Sequence, residues 1–155
     1  TSLGCVLRNE EGEFVPARLA ARIFPDPLAL QKVESLVFPA LIEDFKAFAE
    51  THDEHDIIVF ESATILEKPQ FDGFGDVVVV VDAPVGVRLR RACARDGADP
   101  ATVEARMKNQ KLMNMLSEGG HDPRIDAVIM NDSDMDELKN RTMETMTVLF
   151  GDRKR

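Results

Sequence analysis

The stretch DVVVVVDAPVGVRLRRACARDG, Asp76 to Gly97, decides the fold class. Its five consecutive valines, Val77 to Val81, lie between two aspartates without any alternation of polar residues. A β-branched run of that kind is the pattern of a strand covered on both faces, which points to a parallel sheet lying under helices. Pro84 follows at once. Its ring presets a helical φ and it has no N–H to leave unpaired, so it suits the first turn of a helix, while Gly97 can adopt the left-handed φ that ends one. A strand therefore feeds straight into a helix that carries Arg88, Arg91 and Arg95.

Two further apolar runs flank this unit: DIIVFE from Asp56 to Glu61 and AVIMN from Ala127 to Asn131. Helical periodicity fills the segments between the three, so the fold class is α/β, with a parallel sheet and helices on both faces. Upstream, Asp26 and Pro27 open a helix over Leu28 to Leu36. Pro39 opens a second, with Leu41, Ile42, Phe45, Phe48 and Ala49 on one face. Downstream, Asp99 and Pro100 start a helix that continues through Val103 and Met107, and Gly119, Gly120 and Pro123 break the pattern. A last helix begins near Ser133, whose hydroxyl can cap it with Asp136 three residues on, and turns Met135, Leu138, Met146 and Leu149 to the core.

Composition bounds the function classes. The chain has 155 residues, 44% hydrophobic and 30% charged, enough for one domain with a single core and unlike disordered or fibrous sequences. The valine run is far shorter than the roughly 18 residues that suggest a membrane span, so no membrane partner is expected. A net charge of −9 repels phosphate backbones and makes nucleic acid an unexpected partner. Cys5 and Cys93 make neither a disulfide framework nor a metal spacing, which fits a reducing, cytoplasmic setting. Nothing in the sequence fixes the oligomeric state.

In open parallel sheets ligands bind beyond the carboxyl ends of the strands, which makes Glu61, Asp82 and Asn131 the first side chains to inspect. Charge is also segregated: Arg88 to Lys111 holds seven basic residues against Asp96, Asp99 and Glu104. Arg88, Arg91 and Arg95 at i, i+3 and i+7 share one helix face, and Arg106 and Gln110 share a face of the next helix. Guanidinium forks suit phosphate oxygens, although a solvated basic helix face has the same spacing. A flap reaching towards Arg124 that brings arginines to a polyphosphate is the functional alternative. No metal site is expected. Asp132, Asp134 and Asp136 imitate the start of a calcium loop, but Glu137 and Met143 stand where its glycine and last glutamate belong, so they read as a helix N-terminus. His52 and His55 lack a third ligand, Cys93 reads as a small core residue, and the methionines read as packing.

The order of motifs resembles the dephospho-coenzyme A kinase family of P-loop kinases, across nearly the whole chain. The matching segments are IFPDPLALQKVESLVFP (Ile23 to Pro39), IIVFESATILE (Ile57 to Glu67), FDGFGDVVVVVDAP (Phe71 to Pro84), RLRRACARDG (Arg88 to Gly97), RMKNQ (Arg106 to Gln110) and RIDAVIMND (Arg124 to Asp132). The resemblance implies a three-layer kinase-like domain with a helical acceptor-binding region at 1–55, core sheet and helices at 56–90 and 125–152, and a lid at 91–124. It implies transfer of a phosphoryl group from ATP, with Mg2+, to the ribose 3′-hydroxyl of dephospho-coenzyme A, the last step of coenzyme A assembly. Position by position it implies catalytic roles for Arg124, Arg91 and Arg95, an ATP or adenine site at Arg124 and Asn131, lid contacts from Arg106 and Gln110, and acceptor contacts from Glu61, Phe38 and Pro39. A non-catalytic coenzyme A or nucleotide-binding module and another small-metabolite kinase of the same fold are the alternative readings.

The sequence departs from the family pattern at several points. Phe38 stands where the family usually has histidine, Pro16 where arginine is common, and the stretch from Gln110 to Arg124 is long. No GxxxxGK[S/T] phosphate loop occurs in the 155 residues, and the aspartate expected as general base would precede Thr1. A P-loop strand is normally central in its sheet, so the expectation is that about 40 further residues, the length of a βαβ unit, precede Thr1.

Overall fold

In the computed structural model, residues 7–53 and 56–151 are described. The chain divides into two compact units, Thr1–Phe60 and Glu61–Arg155.

The first unit is built on two helices. An antiparallel bridge joins Arg8 to Phe14 around a turn in which Asn9 Oδ1 accepts the Glu13 N–H at 2.7 Å. Helix α1 (Pro16–Ile23) begins on proline, and α2 (Pro27–Ala49) is capped by Asp26, whose Oδ1 accepts from Leu28 N at 3.0 Å and Ala29 N at 3.2 Å. That cap satisfies donors a helix start would otherwise leave orphaned. The expected break at Pro39 is corrected: α2 is one helix of 23 residues with Pro39 inside it. Proline removes one backbone donor, and helical turns on either side carry the element past it. Ile42 and Phe45 on this helix are half-buried, Phe48 is exposed, and the Phe45 ring meets Phe60 edge to face at 5.1 Å.

In this unit the expected strand over Asp56 to Glu61 is also corrected. Ile57 to Phe60 adopt no regular secondary structure, and Val59 is 77% exposed. A β-branched run becomes a strand only by pairing, and among the described residues the sheet consists of two strands that pair with each other.

Those two strands form the centre of the second unit. Strand β1 (Val79–Asp82) pairs in parallel with β2 (Ala127–Met130), Val79 opposite Ala127 through Asp82 opposite Met130. β1 leaves out the first two valines of its run, whereas β2 takes in all four apolar residues between Asp126 and Asn131. Below β1 the Val78 N–H goes to the Asp126 carboxylate at 2.7 Å instead of to a backbone carbonyl; above β2 the Asn131 N–H reaches Asp82 O at 2.7 Å. Parallel neighbours need a long crossover, and residues 83–126 supply it with α3 (Val85–Asp96), α4 (Pro100–Met107) and α5 (Lys111–Ser117). Gly97 ends α3 at φ +61°, as its sequence position predicts. Asp99 caps α4 through Thr102 N at 3.0 Å, and Val103 on that helix is 2% exposed. Phe71, Ala83, Val103 and Ile129 are the buried apolar core.

Helix α4 stops at Met107 rather than running on. The Asn114 side chain donates to Met107 O and Lys108 O, each at 3.2 Å, and so closes the joint with α5. Gln110 is the N-cap of α5, so it does not share a helix face with Arg106. The final helix, α6 (Met135–Phe150), is capped by Asp134, not Ser133: its carboxylate accepts Glu137 N–H at 2.9 Å, the stronger acceptor where the two compete. Leu138, Met146 and Leu149 are half-buried, whereas Met135, in the first turn, is 64% exposed. Arg141 joins α6 to the end of β2, donating to Met130 O at 2.8 Å and pairing with Asp132 at 2.6 Å and Glu137 at 2.8 Å. This α/β unit with a small parallel sheet is coarser than the three layers expected. No helix among the described residues is long and apolar enough to cross a membrane.

Candidate functional site

Where β1 and β2 end, the chain leaves a cavity of about 360 Å³ whose polar lining is Asp82, Arg88, Arg91, Arg95, Gln110 and Asn131. Each element contributes in a way the sequence dictates. Asp82 and Asn131 are the first polar residues after their apolar runs. The three arginines come from the single face of α3 that their spacing predicts, and Gln110 comes from the joint between α4 and α5.

The arginines are held differently. Arg91 is exposed and donates from Nη1 to Asn131 O at 2.8 Å, tying α3 to the end of β2. Arg95 is also exposed and shares a carboxylate with Arg106: Asp96 Oδ1 accepts from Arg95 Nε at 2.7 Å, and Asp96 Oδ2 lies 3.0 Å from Arg106 Nη2. The Arg95 hydrogen bond, reinforced by Arg106 against the opposing pull of desolvation, holds Asp96 below the usual carboxylate range. The same hydrogen bond pushes Arg95 up. Arg88 is the least exposed, at 16% of its side chain. Its Nη2 donates to Ser117 Oγ at 2.7 Å, and its Nε sits 3.7 Å from Asp82 Oδ1, within ion-pair range but too long for a hydrogen bond. Asp82 Oδ1 in turn accepts the Ala83 N–H at 2.7 Å. The Nε and Nη1 of Arg88 are buried with no hydrogen-bond partner, an arrangement that costs about 1–3 kcal/mol for each donor left unmade.

Arg124 lies apart from this lining. Its guanidinium pairs with Asp122 at 2.7 Å and with Asp72 at 3.2 Å, and so bridges the turn before β2 to the turn before β1. Hydrogen bonds from the Arg124 side chain and backbone N–H depress the Asp122 carboxyl to about 2, and Asp122 in return raises Arg124. Glu61 is exposed and does not line the cavity; Phe38 and Pro39 lie on α2 in the other unit. The cavity thus brings together Arg91, Arg95, Gln110 and Asn131, and leaves Arg124, Arg106 and Glu61 outside its walls.

Three partners had no distinct signal in the sequence. Asp96 and Asp72 are ordinary acidic residues until the fold sets an arginine against each, and Ser117 becomes a partner of Arg88 only once α5 folds beside α3. Asp132, Asp134 and Asp136 serve α6: the first pairs with Arg141 and the second is the cap. Among the described residues no cluster of three His, Cys, Asp or Glu side chains is placed to hold a metal ion. His52 Nδ1 lies 2.8 Å from Phe48 O, and Cys93 is half-buried; Cys5 and His55 lie outside the described residues.

A cluster of three guanidinium groups with two amides and one carboxylate, at the carboxyl ends of parallel strands, is chemically equipped to hold a polyanion built of carboxylate or phosphate groups. The family model for dephospho-CoA kinase (CoaE) matches residues 4–137. A dephospho-CoA kinase of Porphyromonas gingivalis is 36% identical over 113 residues, covering 73% of this chain and 55% of the relative. One from Idiomarina loihiensis is 30% identical over 135 residues, 87% of this chain and 63% of the relative. A third, from Leptospira interrogans, is 24% identical over 149 residues, 96% of this chain and 69% of the relative. The chain thus spans less than two thirds of the length of the first two.

Proposed function

The chain belongs to the dephospho-CoA kinase family, and on that premise we propose that the full-length protein transfers the γ-phosphoryl group of ATP to the ribose 3′-hydroxyl of dephospho-coenzyme A. The observation that carries the proposal is the arginine-lined cavity at the ends of β1 and β2, in a chain whose family acts on a phosphorylated nucleotide. Phosphoryl transfer asks little covalent chemistry of a protein; it asks for positioning and for positive charge where the transferred group develops negative charge.

In this reading Arg91 and Arg95 face the phosphates from α3, and Gln110 and Arg106 belong to a lid over residues 91–124. Asn131 and Arg124 serve the adenine side of ATP. Phe38 and Pro39 serve the acceptor from a helical region over 1–55, and Glu61 is a further acceptor contact. ATP is the co-substrate. Magnesium fits as a companion of the phosphates rather than as a resident ion, because the single carboxylate on the cavity, Asp82, is engaged by the Ala83 N–H and faces Arg88. The setting proposed is the cytoplasm, with small molecules rather than nucleic acid or membrane as partners.

The test is a coupled assay of ADP release from the full-length protein with dephospho-coenzyme A, run beside adenosine and nucleoside monophosphates. Turnover confined to dephospho-coenzyme A is the expected result. Turnover with nucleoside monophosphates would assign another kinase activity, and nucleotide binding without turnover on any acceptor would assign a binding module.

A further inference from the structure

We propose that Arg88 is a further phosphate-binding residue of the cavity, kept parked against Ser117 and Asp82 until a polyphosphate draws it out. The proposal rests on reading the cavity as a phosphate site, and adds to it the arginine of its lining that has two buried donors without a partner. Arg91 and Arg95 have acceptors in Asn131 O and Asp96, and their exposed side chains can complete their remaining bonds in water. Arg88 cannot. Two of its three nitrogens are shut away from solvent with no acceptor. The nearest carboxylate, Asp82, balances its charge at 3.7 Å without closing a hydrogen bond.

A guanidinium placed this way is held by a single hydrogen bond, to Ser117 Oγ at 2.7 Å. A phosphate oxygen entering the cavity offers charge-assisted bonds to the donors that the resting arrangement leaves unmade, which favours exchange of the Ser117 bond for the anion. The exchange also frees Ser117, the last residue of α5, from α3. Arg88 therefore links occupation of the cavity to the position of α5, the helix that follows Gln110. No bond is made or broken covalently. The anion and the guanidinium simply become partners, and Asp82 keeps the Ala83 N–H.

The experiment is calorimetric titration of inorganic tripolyphosphate into the full-length protein, comparing wild type, R88Q, R88K and S117A, each at two salt concentrations and with its melting temperature recorded. R88Q should weaken Kd by at least tenfold and flatten the salt dependence, because one cation fewer faces the ligand. S117A should bind as tightly as wild type or a few-fold tighter, since the bond surrendered on binding is gone. R88K, which keeps the charge without the fork, should fall between wild type and R88Q, and it decides the matter should R88Q not fold. A wild-type Kd and salt slope in R88Q, or in R88K where R88Q is unfolded, overturn the role of Arg88. Wild type that binds neither tripolyphosphate nor ATP overturns the phosphate-site reading beneath it.

Discussion

Replacing Arg91 with alanine separates two things this side chain does. Its Nη1 donates to the Asn131 carbonyl at 2.8 Å, and the rest of its guanidinium borders the cavity. The first contact is a hydrogen bond from an exposed cation, worth about 1 kcal/mol of stability, or about 2–4 °C of melting temperature for a domain of this size. The second, under the proposed function, is a donor aimed at the charge that develops on a transferred phosphoryl group, and removing one such donor typically lowers kcat by about 10²–10³. R91A should therefore remain folded, melt only a few degrees lower, and lose at least a hundredfold in kcat/KM for ATP. R91K should recover part of the rate but not the fork geometry. The assay is initial-rate ADP release with ATP varied at saturating dephospho-coenzyme A, beside a thermal melt of the same preparation. A kcat/KM for ATP within threefold of wild type would refute the placement of Arg91 at the phosphates, whatever happened to the melting temperature.

R124A is expected to lower turnover by about tenfold or more if the adenine side of the site extends to this residue; unchanged kinetics with a lower melting temperature would make its bridge between Asp72 and Asp122 its whole role. Asp122, held at about 2, stabilises the fold fully above the usual carboxylate value of 3.8, and that contribution fades as pH falls towards 2. Melting curves of wild type and D122N should therefore converge as pH falls from 4 to 2, and parallel curves would count against the assignment. V103A removes two methyl groups from a side chain 2% exposed and should cost about 2–3 kcal/mol, seen as a melting temperature about 5–10 °C lower; a change under 2 °C would mean that the core relaxes around the gap.

The parts of the fold legible in the sequence are those governed by local chemistry. Val79 to Asp82, the helix from Pro84 to Gly97 and the arginine face it carries all follow from β-branching, proline, glycine and a 3.6-residue period. What is decided by partners was not legible. Ile57 to Phe60 are as β-branched as β1 but have no strand to pair with among the described residues, and Asp134 displaces Ser133 as a cap because a carboxylate is the stronger acceptor. Gln110 left the face of Arg106 because Asn114 closes the backbone around Met107 and Lys108, a contact no periodicity reveals. The cavity divides in the same way. Its cations were visible in the charge segregation from Arg88 to Lys111, whereas the sharing of Asp96 between Arg95 and Arg106, and the enclosure of Arg88, exist only in three dimensions.

On the reading of the cavity as a phosphate site, Asp96, set between two arginines, also imposes a threshold. A chloride or acetate approaching Arg95 would merely exchange one negative neighbour for another, with little to gain. An ion of several charges can hold Arg95 while its remaining oxygens find Arg91 and Gln110, and so outcompetes the carboxylate already present. Under that reading, a built-in rival of this kind would sort visitors by valence before any of them is recognised by shape.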